Sequence, residues 1–318
     1  MVTADPLRIV YFGTPDFAVP TLRELFASRH EVVAVVSQPD RPKGRGQHLQ
    51  PTPTKHLAAS RGVPVFQPVK LRDEAFLRAM ADLRPDLGVV AAFGRILPED
   101  LLQIPRLGMI NVHASLLPAY RGAAPVHRAV IAGERETGVS IMRVVRELDA
   151  GPVFATVRMP LDEDATSPEV EAGLAELGAR LLGDVVEHMA AGRAVEVPQD
   201  HARETHAPKI TKDEGRIDWS LPAAAIHNRV RGLQPWPMVS LWIDGARYLV
   251  HRTRVSAERT TAEPGTIVAA SRGHLAVAAG DGGVVDVLQI QPEARRPMTA
   301  AEFLAGRHAA VGARVNAP

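Results

Sequence analysis

Three polar side chains in an otherwise apolar run are the residues of this 318-residue chain whose spacing most suggests chemistry. Asn111, His113 and Ser115 are spaced two apart within residues 109–125. Alternate side chains of a β-strand point to the same side, so the spacing predicts that all three face one way. An amide, an imidazole and a hydroxyl at the end of a buried strand cost stability unless a function uses them.

The elements that must position these residues alternate between strand and helix. Runs of β-branched and aromatic residues predict strands at residues 7–12, 32–37, 63–66, 87–92 and 109–113. Helical spacing is clearest over residues 71–83, and Asp16 is placed to cap a helix that ends near Ser28. The order predicts an α/β fold, with a Rossmann-like, mostly parallel sheet and helices on both faces. Ligands of such sheets bind beyond the carboxyl ends of the strands, where Asn111 and His113 fall.

A carboxylate is expected to join them. Asp149 lies in a turn after the next predicted strand, residues 138–145, and a helix over residues 123–132 connects the two strands. A right-handed strand–helix–strand crossover predicts that this strand lies beside the strand ending at His113 and runs in the same direction. Both strands would then end at one edge of the sheet, and Asp149 would approach His113.

An amide, an imidazole and a carboxylate suit acyl transfer to an amine. The N–H groups of Asn111 and His113 can donate to a developing oxyanion, and Asp149 favours and orients a charged imidazolium. His113 or a bound water can relay the proton that the amine loses. The chain has no cysteine and no serine nucleophile elbow, which favours direct transfer. The alternatives are an Asn111 bonded to backbone, a His113 satisfied in the core and an Asp149 that only forms a turn.

Other classes of site lack their patterns. The turn that begins at Gly13 lacks the glycine spacing of a dinucleotide site, and the 12 histidines show no metal-ligand spacing, so we expect no metal. The chain begins without a signal-peptide pattern, and no apolar run approaches the ~20 residues of a membrane helix. The absence of cysteine fits a reducing compartment, so we expect a cytoplasmic protein with no membrane partner.

The second half of the chain changes character. After helices predicted at residues 167–191 and 220–231, short strands separated by turns indicate a small OB-like β-barrel. These strands are predicted at residues 239–243, 247–255, 265–270, 274–278 and 284–291. The expected domains are a catalytic domain over 1–191, a linker over 192–212 and a barrel over 213–318. Residues 206–318 hold 14 lysines and arginines against 10 acidic residues. This mild excess suits an anionic partner, and on charge alone it fits a solvated surface about as well.

A basic segment interrupts the first half. Residues 40–56 carry Arg41, Lys43, Arg45 and Lys55 among glycines and prolines. Composition alone favours a solvated, mobile loop; the functional alternative is a flexible basic arm that reaches a phosphate backbone.

With these residues in view, the chain resembles the methionyl-tRNA formyltransferase family over nearly its whole length. Residues 115–118 (Ser-Leu-Leu-Pro) and 120–125 (Tyr-Arg-Gly-Ala-Ala-Pro) are similar to its folate-binding segment. Residues 138–142 and 148–151 match the flanking blocks, and Asn111, His113 and Asp149 match the catalytic trio. Residues 38–46 resemble the family's tRNA-specific loop, and residues 208–219 and 235–237 resemble its junction and C-terminal barrel.

The resemblance implies formyl transfer from 10-formyltetrahydrofolate to the α-amino group of methionyl initiator tRNA. Asn111 and His113 would stabilise the tetrahedral intermediate, and Asp149 would position His113. The folate co-substrate would be bound by Ser115, Leu116, Leu117, Pro118, Phe93, Gly94, Ile96 and Leu97. The acceptor stem would be bound by Arg41, Lys43, Arg45 and Lys209.

Two rival functions and one departure accompany this interpretation. The trio also occurs in formyltransferases and hydrolases that act on small molecules, and a catalytically silent tRNA-binding module is a second rival. Ala114 stands where members of the family often carry glycine. We expect Ala114 to point away from the cleft; a positive φ at this position would contradict the predicted geometry.

Overall fold

A computed structural model of the chain describes residues 5–43, 48–307 and 309–315. The chain forms two compact units. The first unit comprises residues 1–125, 137–159 and 171–207, and the second comprises residues 126–136, 160–170 and 208–318. Within the described ranges, no helix is both long and apolar enough to cross a membrane.

The first part of the chain alternates strands and helices as expected. Its strands are β1 (Arg8–Gly13), β2 (Glu31–Val36), β3 (Arg41–Lys43), β4 (His48–Gln50), β5 (Val65–Phe66), β6 (Leu87–Ala91), β7 (Met109–His113), β8 (Arg121–Gly122), β9 (Glu136–Arg143), β10 (Val153–Pro160) and β11 (His206–Ala207). Its helices are α1 (Ala18–Ala27), α2 (Pro53–Ser60), α3 (Glu74–Asp82), α4 (Glu99–Leu102), α5 (Pro125–Ala132) and α6 (Ser167–Ala190).

Seven of these strands form one sheet, in the order β10-β9-β7-β6-β1-β2-β5. The five strands from β5 to β7 pair in parallel, which confirms the mostly parallel α/β sheet expected from the sequence. The central strand β1 is apolar because it is buried on both faces, and Ile9 to Phe12 are at most 1% exposed.

Helices cover the sheet. Phe76 and Met80 of α3 pack in a cluster with Val10, Phe12 and Met109. On β7, Val112 has the orientation opposite to Met109 because the two are an odd number of residues apart. A Cβ added at Gly178 of α6 would lie 3.0 Å from Val112, so α6 packs closely over this second face.

The predicted direction of β9 is wrong. β9 pairs with β7 in antiparallel fashion, with Ile110 opposite Arg143 and His113 opposite Ser140. The connection between the strands is therefore not a crossover, because a crossover joins parallel strands. Most of α5, which lies in this connection, groups with the second unit. The end of β9 therefore lies beside the start of β7. Asp149 reaches His113 through the connection between β9 and β10, not through the direction of β9.

Two local expectations have clear outcomes. The N-cap residue of α1 is Phe17, which makes no side-chain capping bond, so the predicted cap at Asp16 is wrong. Ala114 is buried and is absent from the residues with positive φ, so alanine is tolerated there without backbone strain.

The second unit is an antiparallel β domain. Its strands are β12 (Val239–Ile243), β13 (Ala246–Arg259), β14 (Ile267–Ser271), β15 (His274–Ala278), β16 (Gly283–Pro292) and β17 (Met298–Thr299). Besides most of α5, it contains the helices α7 (Ala223–Gly232) and α8 (Ala300–Gly306). The sheet order is β12-β13-β16-β15-β14, and β17 pairs with β16. Ile226 of α7 packs with Ala279 and Val285 in a core of this unit.

The segment expected to link the domains is divided between the units. Residues 192–207 belong to the first unit, and residues 208–212 belong to the second. Within the first unit, β11 pairs in parallel with β8, so part of the expected linker is built into the unit that carries Asn111 and His113.

Candidate active site

Asn111 and His113 lie on one face of β7, at the carboxyl end of the parallel part of the sheet. Asn111 is half-buried, and its amide makes no hydrogen bond with any residue that the structure describes. The structure therefore does not support the alternative in which the amide of Asn111 only bonds to nearby backbone groups. An amide that is held on a rigid strand and has both N–H groups available can donate to a bound carbonyl oxygen.

His113 is 5% exposed, and both nitrogens of its ring have defined neighbours. Nε2 lies 3.0 Å from the carbonyl oxygen of Tyr120, so Nε2 carries a proton and donates it, because a carbonyl only accepts. Nδ1 lies 3.7 Å from Oδ2 of Asp149, which is beyond direct hydrogen-bond distance. Nδ1 is thus the ring nitrogen left for chemistry, with a carboxylate beside it.

Asp149 is positioned by the nine-residue connection between β9 and β10. This connection begins beside Met109, whose carbonyl accepts from the N–H of Val144. Oδ2 of Asp149 accepts from the N–H of Gly122 at 2.8 Å, and Asp149 itself has a positive φ of 49°. The structure brings together the carboxylate and the imidazole that sequence analysis paired, by a different route from the expected one.

The tripeptide of residues 120–122 contacts both groups. The carbonyl of Tyr120 accepts from His113, and the N–H of Gly122 donates to Asp149. Between them, the N–H of Arg121 donates to the carbonyl of Thr205 next to β11. Gly122 has a φ of 121°, and a Cβ there would lie 2.8 Å from the carbonyl oxygen of Ala207, so the position requires glycine.

Ser115 is buried beyond the end of β7, and its hydroxyl donates to the carbonyl of Ala119 at 2.6 Å. Ser140 of β9 completes this turn, because its hydroxyl donates to the carbonyl of Ser115 and accepts from the N–H of Leu117. The carbonyl of Pro118 accepts from the N–H of Thr205. The hydroxyl of Ser115 thus holds the turn, and the half-buried Leu116, Leu117 and Pro118 follow it.

The second segment expected to contact folate follows β6 on the same edge of the sheet. The ring of Phe93 is buried against Phe12, so it is not available to a ligand. Gly94 has a positive φ of 76°. Leu97 packs partly into the core, whereas Ile96 is 83% exposed.

The basic insert begins as a hairpin in which β3 and β4 pair in antiparallel fashion. Arg41 is exposed, and its Nη2 lies 3.4 Å from Oε1 of Gln38. Nε2 of Gln38 donates in turn to the carbonyl of Phe93. Lys43 is described by its backbone alone, and Arg45 lies outside the described residues. Lys209 is exposed in the second unit, and its carbonyl accepts from Arg128.

Sequence analysis missed residues that hold the site without touching a substrate. Ser140 and Gln199 are the main ones, and Gln199 donates to the carbonyls of Asp149 and Gly151. Ser140 was visible inside a block matched to the family, but nothing in its spacing indicated which turn it holds. Among residues 5–43, 48–307 and 309–315, no group of three histidines or carboxylates is arranged to bind a metal ion.

Comparison with known proteins gives the class to which this fold and site belong. Residues 7–186 match the formyl transferase family, and residues 209–308 match the C-terminal domain of formyl transferases. The methionyl-tRNA formyltransferase of Moorella thermoacetica is 44% identical over 94% of this chain and 96% of its own length. That of Methylococcus capsulatus is 44% identical over 97% of this chain and 99% of its own length. The chain belongs to the methionyl-tRNA formyltransferase family.

Solved structures of lower identity share the fold. An N-formyltransferase from Helicobacter canadensis, in complex with folinic acid and dTDP-3-aminofucose, is 16% identical with a TM-score of 0.69, over 90% of this chain and 99% of that one. HypX from Aquifex aeolicus, in complex with tetrahydrofolic acid, is 18% identical with a TM-score of 0.64, over 94% of this chain and 47% of that one.

Proposed function

We propose that this chain transfers the formyl group of 10-formyltetrahydrofolate to the α-amino group of methionine esterified to initiator tRNA. Its membership of the family and the names of two relatives at 44% identity support this reaction. The observation that carries the proposal is the joint placement of three groups: the unbonded amide of Asn111, Nδ1 of His113 and the carboxylate of Asp149.

The residues at this edge fit a folate co-substrate. Ile96 and Leu148 are 83% and 62% exposed, so two large apolar side chains in the connections that follow β6 and β9 lack cover. Ligand sites combine such apolar surfaces with a few placed polar groups, and Asn111 supplies unpaired donors. We assign folate binding to Ser115, Leu116, Leu117, Pro118, Phe93, Gly94, Ile96 and Leu97. The ring of Phe93, the hydroxyl of Ser115 and the carbonyls of both residues are already engaged, so these two residues would act through their backbone N–H groups.

The bound co-substrate supplies an activated formyl group, and the protein has to stabilise charge and move a proton. We assign to Nδ1 of His113 the proton lost by the attacking amine, because Nε2 is engaged with Tyr120. Asp149 then lies beside a positively charged imidazolium and stabilises it. The N–H groups of Asn111 and the protonated Nδ1 donate to the oxygen on which negative charge develops. Nδ1 of His113 then gives its proton to the folate nitrogen as the bond between that nitrogen and the formyl carbon breaks, so the imidazole becomes neutral again.

We assign tRNA binding to Arg41, Lys43, Arg45 and Lys209, with the acceptor stem as the part contacted by the insert. The net positive charge of residues 206–318 favours a polyanionic partner. In this proposal residues 1–191 carry the catalytic trio and residues 213–318 form an OB-like barrel that binds tRNA. Residues 192–212 connect the two, and residues 192–207 are also part of the first compact unit. The reaction takes place in the cytoplasm and requires no metal.

One experiment tests the function. The full chain is incubated with methionyl initiator tRNA and 10-formyltetrahydrofolate, and N-formylmethionine is measured after hydrolysis of the ester. We expect formylation that depends on both substrates. Formyl transfer to a nucleotide-sugar amine, or release of formate without tRNA, would instead support a small-molecule enzyme. Binding of tRNA without folate affinity would support a silent binding module.

A further inference from the structure

Gln199 lies behind the proposed catalytic carboxylate and uses all of its bonding capacity. It is 8% exposed. Its Oε1 accepts from Nε and Nη2 of Arg121 at 3.1 and 2.7 Å. Its Nε2 donates to the carbonyls of Asp149 and Gly151 at 2.8 and 2.7 Å. Only an amide with this orientation satisfies both neighbours, because the guanidinium can only donate and the carbonyls can only accept.

Arg121 fixes that orientation. Its guanidinium is buried, with the side chain 5% exposed, and Nη1 pairs with the carboxylate of Glu204. Its backbone lies in β8, where the N–H donates to Thr205. A buried charge that is paired and held on a strand cannot easily turn away, so Oε1 of Gln199 faces Arg121 and Nε2 faces the connection between β9 and β10.

That connection needs an external constraint at this point. Asp149 has a φ of 49°, in the left-handed region that residues with a Cβ seldom adopt. Gly151 lies so close to Arg143 that a Cβ added at Gly151 would be 2.0 Å from the carbonyl oxygen of Arg143. The single amide group of Gln199 binds the carbonyls on both sides of Ala150, which fixes the backbone that carries the carboxylate of Asp149.

We propose that Gln199 is a positioning residue for the reaction, which orients Asp149 toward His113, and that Arg121 fixes the amide of Gln199. This inference rests on the proposed function, in which Asp149 stabilises the imidazolium of His113. Gln199 acts through the backbone of the connection, whereas the N–H of Gly122 acts on the carboxylate directly.

Two substitutions separate the two sides of the Gln199 amide. Gln199→Glu retains an acceptor for Arg121 but cannot donate to the carbonyls of Asp149 and Gly151. Gln199→Met keeps a similar length and removes both sets of bonds. Gln103→Met is the matched control, because Gln103 is an exposed residue at the end of α4.

The test measures kcat and both KM values of the full chain, with the melting temperature of each variant. We expect both Gln199 variants to lower kcat by about 30-fold or more, with KM values within about 3-fold of wild type and no change for Gln103→Met. In an Asp149→Asn background, Gln199→Met should lower kcat by less than about 3-fold further, since the two residues act through one group.

Three outcomes would overturn the inference. They are a wild-type kcat in Gln199→Met, a full additive loss in the Asp149→Asn background, and failure of both Gln199 variants to fold, which would make Gln199 purely structural. A wild-type chain that does not formylate methionyl-tRNA would overturn the proposed function and this inference with it. An active wild type with an active Gln199→Met variant would overturn the inference alone.

Discussion

Nδ1 of His113 lies 3.7 Å from Oδ2 of Asp149, although the strand that leads to Asp149 runs antiparallel to the strand that carries His113. The connection between β9 and β10 compensates for this direction, because it starts beside Met109 and carries Asp149 to the other end of β7. The imidazole is held from the opposite side by the carbonyl of Tyr120. The contact therefore depends on loop geometry as much as on the sheet.

Replacing His113 should abolish turnover and leave the fold intact. His113→Ala removes the ring that lies beside Asp149 in the proposed site, so we expect kcat for formylation to fall by about 10²–10⁴-fold. Single-turnover formylation and the melting temperature measure the two effects separately. His188→Ala, at an exposed position of α6, is the control and should keep full activity. Normal formylation by a well-folded His113→Ala protein would contradict the mechanism.

Asn111 should be needed for rate and not for stability. Its amide makes no hydrogen bond with the described residues, so Asn111→Ala leaves no buried partner unsatisfied. Removing a donor to a developing oxyanion typically lowers kcat by about 10²–10³-fold. Asn228→Ala is a useful contrast, because Oδ1 of Asn228 accepts a hydrogen bond from the buried Arg231. This substitution should lower the melting temperature instead of kcat. A large loss of stability in Asn111→Ala would argue against a free catalytic amide.

The sequence predicted the local elements of the site and not their relative direction. The strand ending at His113 was predicted with the observed bounds, because a short apolar run with a turn after it is a strong local pattern. The direction of β9 was not predicted, because strand pairing depends on tertiary packing, and no local pattern records that. An expectation that both strands ended at one edge still paired Asp149 with His113, for the wrong geometric reason.

The residues that hold the site in place could not be predicted from the sequence, because their partners are distant along the chain. Gln199 is separated from Asp149 by 50 positions, and Ser140 from Ser115 by 25. A lone glutamine or serine has no characteristic spacing, and its role follows only from which carbonyls the fold brings near it. Catalytic types such as His113 attract attention by their chemistry, whereas positioning residues become visible only through their contacts.

The basic insert should act on tRNA and not on folate. Arg41→Ala and Arg45→Ala should raise the KM for methionyl-tRNA and leave the dissociation constant for folate unchanged. Arg78→Ala, an exposed residue of α3, is the control for loss of one surface charge. Equal loss of tRNA and folate binding would indicate a folding defect.

Salt provides an independent measure of the same contacts. Each phosphate contact contributes about 0.7–0.9 to the slope of log affinity against log salt concentration, so wild-type KM for tRNA should rise with salt. Arg41→Ala and Arg45→Ala should reduce this slope, whereas Arg78→Ala should not. A KM for tRNA that does not change with salt would exclude phosphate contacts by the insert and by the second unit.

Stability of the second unit should depend on Glu169 at neutral pH and lose that dependence in acid. The N–H and hydroxyl of Thr166 and the guanidinium of Arg252 bind the carboxylate of Glu169 and hold its pKa at about 2, below its usual 4.5. A depressed pKa stabilises the fold above pH 4.5, and the contribution is lost as pH falls toward 2. Because the side chain is half exposed, we expect solvent screening to reduce the effect to about 1 kcal/mol.

All three tryptophans, Trp219, Trp236 and Trp242, lie in the second unit, so urea unfolding followed by tryptophan fluorescence measures the stability of that unit. Glu169→Gln should lower the free energy of unfolding at pH 7 and approach wild type near pH 2, whereas an equal loss at both pH values would show that packing rather than charge is responsible.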